Sequence, residues 1–342
     1  MLSSSEYIDN LREELIKEGV NDEYLQACIK YAERLSYRGL PVIFDIKHLS
    51  LLLGLFTSEL CNYITMSEKS FYQKMLIPKK HGGSRELSIP CKNLKQIQRW
   101  ILDNILSTMS ISNHAMGFCH KRSIVTNAEE HVCSEYVLNL DLRNFFPSIN
   151  YDRVFYVFKY FGYTKEISYV LARLCTYKKS LPQGAPTSPA LSNIICLKLD
   201  KRLSKLAEKN GAKYTRYADD ITFSGKHCIF GLLETIKMII LEEGFEINNE
   251  KTRFRSPGQR LEITGLNISN GHVKVPREYV RKYKTEIYFC KKYGPTDHQK
   301  RKADTHMFFK EHMYGKAYFI KMVEPELGSK FLSELDNITW EY

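Results

Sequence analysis

The sequence predicts an α+β fold in which helices flank an antiparallel sheet with acidic strand ends, and three observations carry that expectation. Apolar residues recur at helical spacing in the first part of the chain, again from Leu94 to Met109, and in the last quarter. Val137-Leu138-Asn139-Leu140-Asp141-Leu142 alternates, so Val137, Asn139 and Asp141 share one strand face and the leucines the other. Lys213–Ser224 places β-branched and aromatic runs on either side of Ala218-Asp219-Asp220, which reads as strand, tight turn, strand with both carboxylates at the tip. Adjacent carboxylates on a rigid turn repel, and a fold that keeps them there usually offsets the repulsion with a cation. An Asp-Asp pair alone decides nothing, since about one is expected by chance in a chain of this length. The hairpin setting, and Asp141 at a matching strand end, give the pair its weight.

Taken in order, the N-terminal region predicts two or three helices, with Tyr7, Leu11, Leu15 and Ile16 on one face. Ile77-Pro78-Lys79-Lys80-His81-Gly82-Gly83-Ser84-Arg85 predicts a hairpin whose basic tip suits phosphate contact, with Leu87 and Ile89 alternating after it. A helix follows from Leu94 to Met109, and Gly117-Phe118 closes that section. In Ser123–His131, Thr126 or Asn127 can cap a short helix, and Asn127 and His131 fall one turn apart. Taken alone, a histidine such as His131 is more often a satisfied structural residue than a functional one.

After Asp141, Phe145-Phe146-Pro147 starts a turn or helix, and Phe146 lies five residues beyond the acid. Leu181–Pro189 is a rigid loop with three prolines. It predicts a helix with Ser188 as N-cap, Pro189 as first helical residue, and Leu191, Ile195, Leu199 and Leu203 repeating every four. Leu241–Thr252 closes a helix and a turn, and Leu261–Leu266 with Val273 and Val275 predicts a small hairpin. In the next helix Tyr279, Tyr283, Ile287 and Cys290 line one face, and Arg277, Arg281, Lys284 and Lys291 the opposite one. Between Lys274 and Lys321 thirteen Lys or Arg stand against five acids, a footprint of binding to a nucleic-acid backbone.

Composition bounds the function. A chain of 342 residues with a formal charge of +11 favours a polyanionic partner. The longest apolar run, Leu51–Phe56, is far too short to cross a bilayer, and acids near the N-terminus argue against a secretion signal. Nine scattered cysteines without a CxxC pair suggest a reduced cytoplasmic protein with neither disulfide framework nor zinc site.

Asp141 within Leu140–Ile149, then Leu181–Pro189, then Tyr217-Ala218-Asp219-Asp220, resemble in this order the core motifs of reverse transcriptases. Asn127-Ala128-Glu129-Glu130-His131 resembles the Asn-Ala-x-x-His element of bacterial retron reverse transcriptases. Ile263-Thr264-Gly265 resembles their Val-Thr-Gly element, with Ile in place of Val. The resemblance covers nearly the whole chain from Leu49 to the basic tail.

It implies a right-hand polymerase: residues 1–113 and 150–182 as fingers, 114–149 and 183–265 as palm, and 266–342 as thumb and RNA-binding region. It implies two Mg²⁺ ions held by Asp141, Asp219 and Asp220. Arg85, with Lys79 or Lys80, would hold the incoming triphosphate, and Gln183 would lie along the nucleotide sugar and template. Phe146 would be the gate that excludes a ribose 2′-hydroxyl, and Lys251 a proton donor to pyrophosphate. Asn127, His131, Arg277, Arg281, Lys284 and Lys291 are assigned to RNA binding. The implied reaction copies part of a cognate structured non-coding RNA, from dNTPs, into branched, RNA-linked single-stranded DNA (msDNA), within a phage-defence unit that includes an effector protein encoded nearby. The residues after Gly265 are too few for a ribonuclease H domain as well as a thumb, so RNA removal is expected to fall to a separate host ribonuclease H. Two alternatives remain: a reverse transcriptase of the group II intron or abortive-infection kind, and a catalytically idle RNA-binding scaffold. Intact Asp141, Asp219 and Asp220 weigh against the scaffold.

Overall fold

A computed structural model describes residues 4–66, 68–78, 82–269, 271–302 and 308–340. The chain divides into two compact units. The first comprises Met1–Asn113, Arg143–Lys201 and Ile240–Glu246; the second comprises His114–Leu142, Arg202–Ile239 and Ile247–Tyr342.

The first unit opens with four helices, Ser4–Lys17, Asp22–Tyr37, Ile46–Leu52 and Thr57–Thr65, one more than the upper expectation. The extra boundary comes from Asp45, whose carboxylate accepts the His48 N–H at 2.7 Å, much as Asn21 accepts that of Tyr24 at 2.8 Å. The expected hairpin forms from β1 (Tyr72–Pro78) and β2 (Ser84–Pro90), antiparallel with Pro78 opposite Ser84. Its tip, with Lys79 and Lys80, lies outside the described residues. Helix Lys92–Ile101 follows and widens into a π-helical turn over Leu102–Leu106. Helices Tyr151–Phe161 and Lys165–Cys175 are capped by the side chains of Asn150 and Thr164.

The helix after the proline-rich loop departs from expectation at both ends. Its N-cap is Thr187, not Ser188; Ser188 is the first helical residue, and its hydroxyl donates to the Pro182 carbonyl at 2.7 Å instead of turning back on the helix. The run also breaks at Cys196 into Ser188–Ile195 and Leu197–Lys209. Leu191, Leu199 and Leu203 stay buried through the break, which is why their spacing does not reveal it.

The second unit is built on an antiparallel sheet with strand order β4-β5-β3-β6: β3 is Tyr136–Asp141, β4 Lys213–Tyr217, β5 Asp220–Gly225 and β6 Arg253–Arg255. A short helix, Ile124–Glu129, precedes β3. Ser123, not Thr126 or Asn127, is its N-cap, in a reciprocal capping box with Thr126. In place of a single small hairpin, three strands form, β7 (Glu262–Ile263), β8 (Leu266–Ser269) and β9 (His272–Lys274). Helices Arg277–Tyr293, Pro295–Lys302, Phe309–Val323 and Pro325–Asp336 follow. Tyr283, Ile287, Met313, Ala317 and Phe331 join Ile263, Leu266 and Val137 in one apolar core, so the C-terminal helices stand on the same core as the sheet. Among the described residues no helix is long and apolar enough to cross a membrane.

Candidate active site

Strand pairing brings the acids together. In the β3–β5 register Asp141 stands opposite Asp220, the last residue of one strand facing the first of the other. Tyr217 pairs with Asp220, so Ala218 and Asp219 form a two-residue turn, and Ala218 takes a left-handed φ of +57°. An alanine in that region costs energy, and the surroundings hold it there. The Leu142 N–H donates to the Asp219 carbonyl at 2.9 Å, and the buried Arg216 guanidinium donates to the Ala218 carbonyl at 3.2 Å. The Asn248 N–H donates to the Asp141 carbonyl at 2.8 Å. Beneath the turn lies Gly117, where a Cβ would stand 2.6 Å from the Ala218 nitrogen.

That close approach gives a prediction. Gly117→Ala forces the turn to shift, and a displacement of about 1 Å at reacting groups lowers rates on the order of 100-fold. Single-turnover nucleotide addition, the reaction that the resemblance implies, should fall by that order while circular dichroism stays native. An unchanged rate would remove Gly117 from the site.

The leucine face of β3 is buried, with Leu138 and Leu140 at 0–1% exposure. Its other face carries a chain of polar contacts behind the acids. Arg255 donates to the Asn139 amide oxygen at 2.9 Å, and the Asn139 amide donates to the Thr222 hydroxyl at 3.2 Å. His131 spans two strands, with one ring nitrogen 2.7 Å from the Ser224 hydroxyl and the other 2.7 Å from that of Thr215. Asn127 and His131 are thus interior residues, at 1% and 0% exposure. The Asn127 amide reaches the Thr264 hydroxyl at 3.4 Å, which joins the Asn-Ala-x-x-His element to Ile263-Thr264-Gly265.

Burial first, and the Lys213 charge second, push the His131 pKa down to about 3. Unfolded, this ring takes a proton near pH 6.5; folded, it refuses one until near pH 3. Stability is therefore lost as pH falls between those values, by about 1.4 kcal/mol per pH unit from this group. His131→Gln should weaken the fold at neutral pH but flatten that decline. Urea unfolding at about pH 7.5, above the window, and about pH 5.5, inside it, measures the difference. An identical decline in both proteins would contradict the assignment.

The acids carry unbalanced charge. Desolvation by the surrounding sheet, then the charges of Asp219 and Asp141, raise the Asp220 carboxyl to about 7 although water reaches it on one side; the Lys251 ammonium opposes the shift. Lys251 Nζ sits 2.8 and 3.0 Å from the two Asp141 oxygens. The hydrogen bond with Asp141 raises the lysine pKa despite partial desolvation, so it stands as a cation. Among the described residues no three His, Cys, Asp or Glu side chains already converge at metal-holding distance. The donor set nevertheless suits a hard divalent cation, because Asp141, Asp219 and Asp220 offer only carboxylate oxygens and their mutual repulsion calls for positive charge. A cavity of about 360 Å³ opens beside Asp220, lined by Tyr217, Asn139, Thr222, Arg253 and Arg255.

Three other candidates lie in the first unit. Arg85 is exposed on β2, opposite Ile77. The loop carrying Gln183 lies against the same strand: the Ser88 N–H donates to the Gln183 carbonyl at 2.8 Å. Gly184, at φ +130°, leaves no room for a Cβ, which would stand 2.9 Å from the Ser88 carbonyl oxygen. Phe146 is half-buried in the short helix Phe145–Ser148, its ring 5.4 Å from that of Phe145, which stacks on Phe245 at 5.8 Å. In the second unit, Arg277, Arg281, Lys284 and Lys291 are exposed on the Arg277–Tyr293 helix, and Lys291 is paired with Glu334 at 3.0 Å.

Sequence reasoning missed Gly117, Arg216, Asn139 and Arg255 as supports of this site. Only Asn139 carried a signal, its place on the strand face of Asp141.

Residues 77–277 match the family described as reverse transcriptase (RNA-dependent DNA polymerase). Among curated proteins the chain is 37% identical to the retron Ec86 reverse transcriptase of Escherichia coli, over 78% of this chain and 84% of that one. It is 33% identical to the retron Mx162 reverse transcriptase of Myxococcus xanthus, over 90% and 69%. Among solved structures, a telomerase from Candida albicans in complex with a fragment of telomeric RNA aligns with a TM-score of 0.45 and 12% identity, over 85% of this chain and 60% of that one.

Proposed function

The chain belongs to the reverse transcriptase family, in its retron branch, with the α+β right-hand polymerase fold of that family, and on that premise we propose that it copies part of a structured non-coding RNA into branched, RNA-linked single-stranded DNA. The observation that carries the chemistry is the pairing of Asp141 with Asp220 across β3 and β5, with Asp219 in the turn between β4 and β5.

Asp141 and Asp219 are the principal carboxylates for metal, and Asp220 is the third. When bound there, two Mg²⁺ ions would supply activation of the attacking hydroxyl and neutralisation of the leaving pyrophosphate. The clamped turn holds the carboxylates still during the reaction. Lys251 rests on Asp141 as counter-charge and is the candidate donor to the departing pyrophosphate. Arg85 grips the incoming triphosphate, with Lys79 or Lys80 beside it in the sequence, Gln183 lies along the nucleotide sugar and template, and Phe146 rejects a ribose 2′-hydroxyl. The basic face of the Arg277–Tyr293 helix grips RNA phosphates. Asn127 and His131 serve RNA binding indirectly, by tying the Ile263-Thr264-Gly265 hairpin and the sheet into one support. In this reading the protein works in the cytoplasm, within a phage-defence unit beside an effector protein.

The grip is tested with Arg277, Arg281 and Lys284 replaced together by Gln. Affinity for the RNA should fall strongly, and the dependence of log affinity on log salt should become shallower by roughly 0.7–0.9 for each phosphate that is no longer neutralised. Stability should barely change, because Tyr283 and Ile287 remain packed. Binding across a salt series measures the slope. An unaltered slope would make these charges a merely solvated face.

A further inference from the structure

The exposed stripe of the Arg277–Tyr293 helix is not uniformly basic. At 100° per residue Arg277, Arg281, Lys284, Tyr288 and Lys292 fall within one narrow arc, while Tyr283, Ile287 and Cys290 face the core. Tyr288 lies near the middle of that arc and is 54% exposed. Lys292 Nζ stands over its ring at 5.6 Å and over the Tyr293 ring at 5.3 Å; Arg301 covers Tyr293 from 4.3 Å. The other end of the stripe differs. There Lys274, Arg277, Arg281 and Lys284 line a cavity of about 470 Å³, with Glu324 as its one acid. One end of the helix thus offers cations around a groove, and the other offers aromatic rings held among cations.

A lone exposed tyrosine is ordinary on a protein surface. This one lies in line with the arginines, on a helix whose other side is already packed, and a cation covers its ring from one direction. Cations alone read phosphates and ignore whether bases are paired. An aromatic face stacks on a base only when that base is unpaired, because in a duplex both base faces are already covered.

We infer that Tyr288 is a base-stacking residue, and that this surface binds RNA where a stem gives way to unpaired nucleotides: Arg277, Arg281 and Lys284 hold the stem backbone, and Tyr288 stacks the first unpaired base. The inference rests on the RNA-gripping role proposed for the basic face, and it adds a preference that charge alone does not supply.

Two RNA probes matched in phosphate number test it, a blunt duplex and a shorter stem with an unpaired tail. Wild type should bind the tailed probe more tightly. Tyr288→Ala should weaken binding to the tailed probe by roughly ten-fold or more, the order of a single base stack, and leave the duplex affinity and both salt slopes unchanged. Tyr288→Phe should retain the preference, and Tyr288→Trp should show fluorescence quenching with the tailed probe alone. Equal weakening on both probes, or none on either, would overturn the inference. If the Arg277, Arg281 and Lys284 triple variant lowers the salt slope while Tyr288→Ala leaves the preference intact, only the stacking role fails. If the triple variant also leaves the slope unchanged, the grip itself fails.

Discussion

Asp219→Asn is expected to abolish Mg²⁺-dependent DNA synthesis while leaving RNA affinity nearly intact. The substitution keeps the size of the side chain and removes the charge that a divalent ion requires. The Asp219 carbonyl still accepts the Leu142 N–H, so the turn keeps its shape. Metal-assisted charge stabilisation is worth several kcal/mol, and its loss lowers the rate by roughly 1000-fold or more. The basic helix face is untouched, so binding persists. Primer extension on an RNA template, measured beside RNA affinity for the same preparation, separates the two effects. Synthesis by the variant at the wild-type rate would remove Asp219 from the metal site.

Phe146→Val should let ribonucleotides be incorporated where the wild type rejects them. The ring is half-buried and lies tilted against that of Phe145, a contact that limits how far it can swing aside. Valine stays apolar on the side toward Phe145 and opens space on the other. Phe145 keeps its stacking on Phe245, so the local fold should survive. The ratio of ribonucleotide to deoxyribonucleotide use should rise by more than about an order of magnitude, since relief of a steric clash is worth at least a few kcal/mol. An unchanged ratio would make Phe146 a core aromatic without a role at the sugar.

What was legible in the sequence was local. Alternation over Val137–Leu142 and the run Lys213–Ser224 specify strands because side chains on a strand alternate within a few residues, and the acids are placed by the same rule. The two-faced helix Arg277–Tyr293 is legible for the matching reason at period 3.6, and Tyr283, Ile287 and Cys290 are buried as its wheel requires. Tyrosines interleaved with the basic residues are visible in the sequence, but which ring stays exposed within the basic arc, Tyr288, is decided by the packing.

What was illegible depends on contacts between distant residues. Gly117 matters because Ala218 passes over it, and neither position signals the other across so long a stretch of chain. Arg216 reads as an ordinary strand residue until its guanidinium reaches the Ala218 carbonyl. Ser123, Thr126 and Asn127 all suit an N-cap, and the choice among them is made by where the backbone turns. Only resemblance ties Lys251 to pyrophosphate; its contact with Asp141 follows from the loop that closes back at the end of β3.

The most direct test is the nucleic acid that remains with the protein when it is purified from cells that produce its cognate RNA. Wild type should carry RNA and DNA joined covalently, so that deoxyribonuclease removes the DNA and ribonuclease shortens the species without releasing an intact free copy of it. Asp219→Asn should carry the RNA alone. RNA without DNA on the wild type, or DNA of the same size on the Asp219→Asn variant, would contradict the claim that these three aspartates synthesise RNA-linked DNA.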